Sequence, residues 1–167
     1  NPFQTIDTNV NGTVNLLKMA IKHQPKKFIN ISTDKAVESS TLYATTKQIG
    51  ERLTSWAGKH MKNTKFATIR FGNVIETRGN VFEVWKKQSE NNEALSITDP
   101  KMKRYFMTVR EAVELVLASS ALGTTQPKQV GKIFVLEMGK PVLIQSLAEQ
   151  MIRLAGHSPG EDIKIVY

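Results

Sequence analysis

Short β-rich runs alternate with amphipathic helical stretches along this chain, and that alternation constrains the fold more than any other feature. Residues 8–23 place Val10, Val14, Leu17 and Ile21 on one helical stripe. Residues 27–32 (Lys-Phe-Ile-Asn-Ile-Ser) then read as a strand. A second helix is predicted over 42–60, with Ile49, Leu53 and Trp56 on its apolar face, and a second strand over 66–71. A glycine-containing loop, 72–80, precedes a shorter helix at 82–90. Farther on come a short strand at 94–98 closed by Asp99-Pro100, an extended stretch at 104–108 and a helix at 109–121. A buried strand at 133–136 follows, then a helix at 143–155 stopped by Gly156, and a last strand at 163–167. Strands separated by helices of this length predict an α/β fold with a parallel sheet covered on both faces. No repeat or linker divides the chain, so residues 1–167 read as a single α/β region.

Composition removes several kinds of chemistry. The 167 residues are 40% apolar and 23% charged, which is the balance of a globular domain. Cysteine is absent, so disulfides, zinc–thiolate sites, iron–sulfur clusters and thiol nucleophiles are excluded. His23, His60 and His157 lie far apart with no ligand spacing, so no metal site is expected. No apolar run reaches the length of a membrane span, and no secretory signal opens the chain. The Asn-Pro start, without methionine, reads as a processed or truncated product. The net charge of +8 suits anionic partners. The basic residues fall in short clusters rather than a long arm, so most of this charge reads as solvated surface and no nucleic-acid partner is expected.

In parallel sheets ligands bind where strands end and loops begin. After the first predicted strand comes Ser32-Thr33-Asp34-Lys35, and the next helix carries Tyr43 and, four residues on, Lys47. An i,i+4 pair shares a helix face, so phenol and ammonium are neighbours. A free tyrosine is a poor base at neutral pH, and a fixed cation beside it favours the phenolate. Thr33 or Ser32 could hold the substrate oxygen that exchanges a proton with Tyr43. The spacing alone is a weak signal in a lysine-rich chain, where it equally describes a solvent-facing turn with a snorkelling lysine. Its place directly after a strand-end Ser-Thr strengthens it.

Ser32-Thr33-Asp34-Lys35-Ala36 followed by Leu42-Tyr43-Ala44-Thr45-Thr46-Lys47 resembles the extended short-chain dehydrogenase/reductase superfamily. More closely, it is similar to nucleotide-sugar 4,6-dehydratases of the capsule and O-antigen polysaccharide-biosynthesis branch. Asn9-Val10-Asn11-Gly12-Thr13, Arg70-Phe71-Gly72-Asn73-Val74, Thr77-Arg78-Gly79, residues 103–108 and residues 134–142 continue the match in collinear order over essentially the whole chain. The resemblance implies a partial, doubly wound, Rossmann-like parallel sheet, the C-terminal part of that fold, truncated at both ends.

It also implies a reaction. A tightly held nicotinamide takes a hydride from C4 of the sugar while Tyr43, supported by Lys47, takes the hydroxyl proton. A base matching Lys35 removes the C5 proton, an acid matching Asp34 helps the C6 hydroxyl leave, and the hydride returns to C6. Adjacent residues on one strand point to opposite faces, so Asp34 and Lys35 can serve together only if the strand has ended and the chain turns. The resemblance puts Tyr43, Lys47 and Phe71 at the cofactor, NAD or NADP, and Thr33 with the catalytic groups. Asn73, Arg78 and Arg104 match the substrate side, with Arg104 on the pyrophosphate of a UDP-sugar.

Neither G-x-G-x-x-G nor a Walker motif occurs, so weak or no dinucleotide binding is expected of this chain. A homo-oligomer through helices 8–23 and 42–60 is implied, with a cytoplasmic location and a parent that could be membrane-anchored. The long, anchored members often carry methionine at the position of Tyr43, whereas residues 138–142 resemble those same members, which leaves the stereochemistry at C5 open. Glu76 and Asn80 also depart from the family pattern. A nucleotide-sugar 4-epimerase using the same Tyr43/Lys47 pair, and a non-catalytic basic module, are the alternative readings.

Overall fold

Asn1 and Pro2 open a helix in the manner their chemistry favours. The Asn1 side chain accepts from the amides of Phe3 and Gln4, and Pro2 occupies the first turn, where its missing N–H costs nothing. The computed structural model describes residues 1–75, 77, 80–125 and 131–167. Helix α1 (Pro2–Ile6) runs through a π-helical stretch, Asp7–Asn11, into α2 (Gly12–His23). The helix expected from residue 8 therefore begins six residues earlier. Phe3 and Ile6 carry the apolar spacing of Val10, Val14, Leu17 and Ile21 back to the cap, but both are exposed, so the Asn1 cap is what opens the helix.

Strand β1 (Lys27–Thr33) ends in a single 3-10 turn, Asp34–Ala36. Helix α3 (Leu42–His60) follows, capped by the Thr41 hydroxyl on the Ala44 amide, and leads to β2 (Lys65–Phe71). Strands β3 (Asn73–Val74), β4 (Leu95–Ser96), β5 (Lys103–Arg104) and β6 (Phe106–Met107) are two residues each, with α4 (Val81–Glu90) after β3. Helix α5 (Val109–Thr125), β7 (Lys132–Val135), β8 (Val142–Leu143), α6 (Ile144–Leu154) and β9 (Ile165–Val166) complete the chain.

The described chain divides into two compact units, with no linker in the sequence to announce it. The first, Asn1–Phe71 with Arg110–Glu137, holds a parallel three-stranded sheet in the order β1-β2-β7. Lys27 is in register with Lys65 and Thr33 with Phe71, so the two long strands run level for their full length. Period-two alternation sends Phe28 and Phe66 to one face, where their rings lie 5.4 Å apart beside Leu17, Ala20 and Ala57 of α2 and α3. Ala67 points to the other face, where it lines a crevice with Ile29 and with Ser119 of α5. Helix α3 sits close to the sheet because Gly58 has no side chain. A Cβ there would meet the backbone of Gly131 at 3.0 Å and Phe66 Cβ at 3.2 Å.

The second unit, Gly72–Val109 with Met138–Tyr167, is built on side-chain volume. Trp85 of α4 is fully buried among Leu95, Ile97 and Ile163 and the α6 stripe of Ile144, Ala148 and Ile152. Its indole N–H donates to the Ser96 carbonyl at 2.9 Å, so burial leaves no polar atom orphaned. The stretch expected to run extended over 104–108 is split at Tyr105. Lys103–Arg104 pairs antiparallel with β8, and Phe106–Met107 pairs parallel with β3. Met107 is buried, and Met102 and Met151 pack on the same core, consistent with a filling role.

Candidate active site

The first unit holds six of the expected residues, Thr33, Asp34, Lys35, Tyr43, Lys47 and Phe71, on the elements that meet at the end of β1. The strand stops at Thr33, and Asp34 and Lys35 stand on the 3-10 turn that follows, so the alternation that would have sent them to opposite faces has ended. Thr33 is only 8% exposed. Its hydroxyl donates to Asp34 Oδ1 at 3.0 Å and accepts from the Lys35 amide at 3.4 Å, which ties the three residues together. Register with Thr33 sets Phe71, the last residue of β2, beside them.

Helix α3 enters over the same strand end. Tyr43 lies in its first turn and is 45% exposed. One turn on, the Lys47 ammonium donates to the Ile31 carbonyl at 3.1 Å, and Gln48 donates to the Ala36 carbonyl at 3.1 Å. Partial burial lowers the Lys47 pKa from the ordinary lysine value, because desolvation disfavours the ammonium. Asn9 of the π-helical stretch donates to the Thr46 hydroxyl at 3.0 Å, holding the preceding helix against α3. A cavity of about 160 Å³ there has a mixed lining that includes Asn9, Thr13, Leu16, Asn30, Thr46 and Lys47.

One more turn along α3, Glu51 meets Arg70 of β2 through two 2.7 Å hydrogen bonds, a fork-to-carboxylate pair with the Glu51 side chain 3% exposed. The carboxylate raises the Arg70 pKa. Tyr43, Lys47 and Glu51 thus share one stripe. The lower two hold α3 to β1 and β2 at Ile31 and Arg70, adjacent levels of the sheet. Sequence reasoning missed this pair. Its available signals were the arginine inside an apolar strand run and the glutamate four residues after Lys47. Ser32, in register with Arg70, is 4% exposed, and its hydroxyl has no partner among the described residues.

The residues matched to the nucleotide end lie in the second unit. Asn73 donates from Nδ2 to the Tyr105 carbonyl at 3.0 Å, and Arg104 donates to the Lys103 carbonyl at 3.0 Å. Arg78 lies outside the described residues, as does Glu76. Asn80, which departs from the family pattern, caps α4 by accepting from the Glu83 amide at 3.0 Å, as serine would. Among the described residues no group of three His, Asp or Glu side chains could hold a metal ion.

Comparison with known proteins decides the relationship. The family model described as "Polysaccharide biosynthesis protein" matches residues 1–167. This chain belongs to that family. It is 42% identical over its full length to the capsular polysaccharide biosynthesis protein CapD of Staphylococcus aureus, covering 27% of that relative. It is 36% identical over 71% of its length to the inverting UDP-N-acetylglucosamine 4,6-dehydratase of Campylobacter jejuni, covering 36% of it. The crystal structure of Pen from Bacillus thuringiensis superposes with a TM-score of 0.87 and 34% identity, over 99% of this chain and 50% of that one. A UDP-glucuronic acid 4-epimerase from Bacillus cereus, solved with UDP-glucuronic acid and NAD, shares the fold at a TM-score of 0.79 and 22% identity, over 96% of this chain and 54% of that one. The chain therefore has the Rossmann-like fold of the extended short-chain dehydrogenases/reductases. It spans between about a quarter and a half of the length of these relatives.

Proposed function

We propose that this chain is the catalytic and substrate-binding part of a UDP-N-acetylhexosamine 4,6-dehydratase acting in polysaccharide biosynthesis. The observation that carries the reading is the convergence of two elements: the Thr33-Asp34-Lys35 turn at the end of β1, and α3 docked on that strand through Lys47 with Tyr43 one turn away. Tyr43, Lys47 and Phe71 fit the nicotinamide end of a dinucleotide, which when bound supplies a reversible hydride acceptor. The sequence offers no glycine-rich phosphate cradle, so this chain binds NAD or NADP weakly or not at all by itself. Tight binding in a calorimeter would contradict that.

In this reading Tyr43 takes the proton of the sugar 4-hydroxyl, with Lys47 as the neighbouring cation. Lys35 takes the C5 proton, made acidic by the adjoining ketone, and a proton returns to C5 when C6 receives the hydride first taken from C4. Asp34 donates a proton to the departing C6 oxygen, which leaves as water, and Thr33 orients the carboxyl through its hydroxyl. Asn73, Arg78 and Arg104 hold the UDP group by charge and hydrogen bonding. Copies associate through the outer faces of α2 and α3, where Leu16, Met19 and Trp56 are exposed. The assembly works in the cytoplasm or at the cytoplasmic face of the inner membrane, and the parent protein can carry an anchor elsewhere. Among the described residues no helix is long and apolar enough to cross a membrane.

The test is to incubate the whole protein carrying this chain with UDP-N-acetylglucosamine and weigh the product. A 4-keto-6-deoxy sugar lighter by one water is expected, and Lys35→Ala should abolish it. Inversion at C4 with no change of mass, unaffected by Lys35→Ala, would make the protein an epimerase instead.

A further inference from the structure

We infer that the edge of the first unit remote from the candidate active site is an electrostatic docking surface for an anionic lipid bilayer. Parallel strands that start level put all their entry points at one edge, and here that edge is lined with cations. Helix α2 ends in Lys22-His23 and α3 in Lys59-His60, and each leads within a few residues into a strand. The two connecting turns touch: Asn63 Nδ2 donates to Gln24 Oε1 at 2.7 Å, and the Lys65 amide donates to the Lys26 carbonyl at 3.1 Å. Lys27 and Lys65 are then register partners. All these cations are exposed except Lys65, which is half-buried.

No acid offsets them. Neither residues 8–33 nor residues 52–75 contain an Asp or Glu. Among the described residues no carboxylate pairs with any of these lysines. Cations in the last turn of a helix answer the partial negative charge of its carbonyls, which accounts for Lys22, His23, Lys59 and His60. It does not account for Lys26, Lys27, Lys62 and Lys65, which lie in turns and strand starts. A seven-residue strand places this edge about 20 Å from Thr33, so the surface is separate from the candidate site.

The chemistry favours lipid over other polyanions. The cations of the edge are lysines and histidines, with no arginine, so they present point charges on flexible stems rather than the planar forks that read phosphodiesters or bases. Lysines of this kind suit the diffuse potential of an anionic leaflet, with their apolar stems lying along the surface. The crevice between Lys27, Lys65 and Ser119 encloses no usable volume, which argues against a small anion in a pocket.

The inference does not depend on the dehydratase reading, and the chain itself tests it. Sedimentation with vesicles of equal phosphatidylglycerol and phosphatidylcholine, in about 0.15 M salt, should carry the protein down, and vesicles of phosphatidylcholine alone should not. Lys26→Ala/Lys27→Ala/Lys62→Ala should weaken binding by about fivefold per lysine removed. Lys87→Ala/Lys101→Ala/Lys140→Ala, with the same net charge and all in the second unit, should change it by less than about twofold. Lys62→Glu, a single change in an exposed turn, should weaken it by more than the control triple if the three-site variant folds poorly. Equal loss in both triples would reduce the effect to net charge and overturn the inference. So would failure to sediment, or equal retention of duplex DNA.

Discussion

The two units of this chain are stabilised by different means. The first has strands of seven residues, a small apolar cluster of Leu17, Ala20, Ala57 and Phe66, and a buried polar layer that includes Thr46, Thr54, Thr68 and Glu51. The second has two-residue strands and a large apolar cluster around Trp85. Long ladders and close backbone approach fix the relative height of helix and sheet. A side-chain core supplies burial energy but leaves loops free to vary. The unit that positions the candidate acid–base groups is the one with the ladder.

Truncating Trp85 to alanine should produce the largest effect, a loss of about 3–5 kcal/mol seen in denaturant unfolding, because the whole second cluster surrounds its indole. Equal damage from Phe66→Ala would blur the contrast between the units. Next comes Arg70→Met, which leaves Glu51 charged and buried without its partner. It should also cost about 3–5 kcal/mol, near the lower end because the Arg70 side chain is 17% exposed. The double variant Glu51→Leu/Arg70→Met should recover most of that stability, and failure to recover would mean the pair is not the element that holds α3 on β2.

A smaller loss, about 1–3 kcal/mol, is expected for Gly58→Ala, since the added methyl meets the Gly131 backbone rather than a flexible side chain. The smallest effect concerns Lys47. Its folded pKa is lowered, so the unfolded chain binds more protons just below the ordinary lysine value. Stability should therefore rise with pH through the window from the folded pKa up to 10.5. Lys47→Met should remove that rise in thermal melts across the alkaline range. A rise that survives in the variant would assign it to another group.

Much of the first unit was legible in the sequence. Helix 42–60 has the bounds of α3, and the strands at 27–32 and 66–71 differ from β1 and β2 by one residue each. These elements are long, periodic and capped by local signals such as Thr41. The faces were read less well. Ile49 and Trp56, expected on the apolar face of that helix, are exposed, its buried face being small residues such as Ala44, Gly50 and Ala57. The strand expected to be buried at 133–136 is β7, where Ile133 and Val135 are exposed. The second unit was harder to read. The strand expected at 94–98 has two residues, that at 163–167 also has two, and 104–108 belongs to two pairings rather than one. Strands that short have no period of their own, and partners distant in sequence decide where they begin. In the candidate site, the turn at Thr33-Asp34-Lys35 and the Tyr43/Lys47 stripe were readable because each is local. The Glu51–Arg70 pair was not, since its two halves sit on different elements 19 residues apart.

Local chemistry, written in neighbouring residues, determined the helices, their caps, the strand cores and the spacing of the candidate acid–base groups. Only the tertiary structure decided that the chain passes between two units at residues 71–72, 109–110 and 137–138, and that the lysines of two separate turns share one edge. Hydrogen-bonded turns and side-chain periods reach a few residues along the chain. Sheet register and buried ion pairs join segments whose proximity no local pattern encodes.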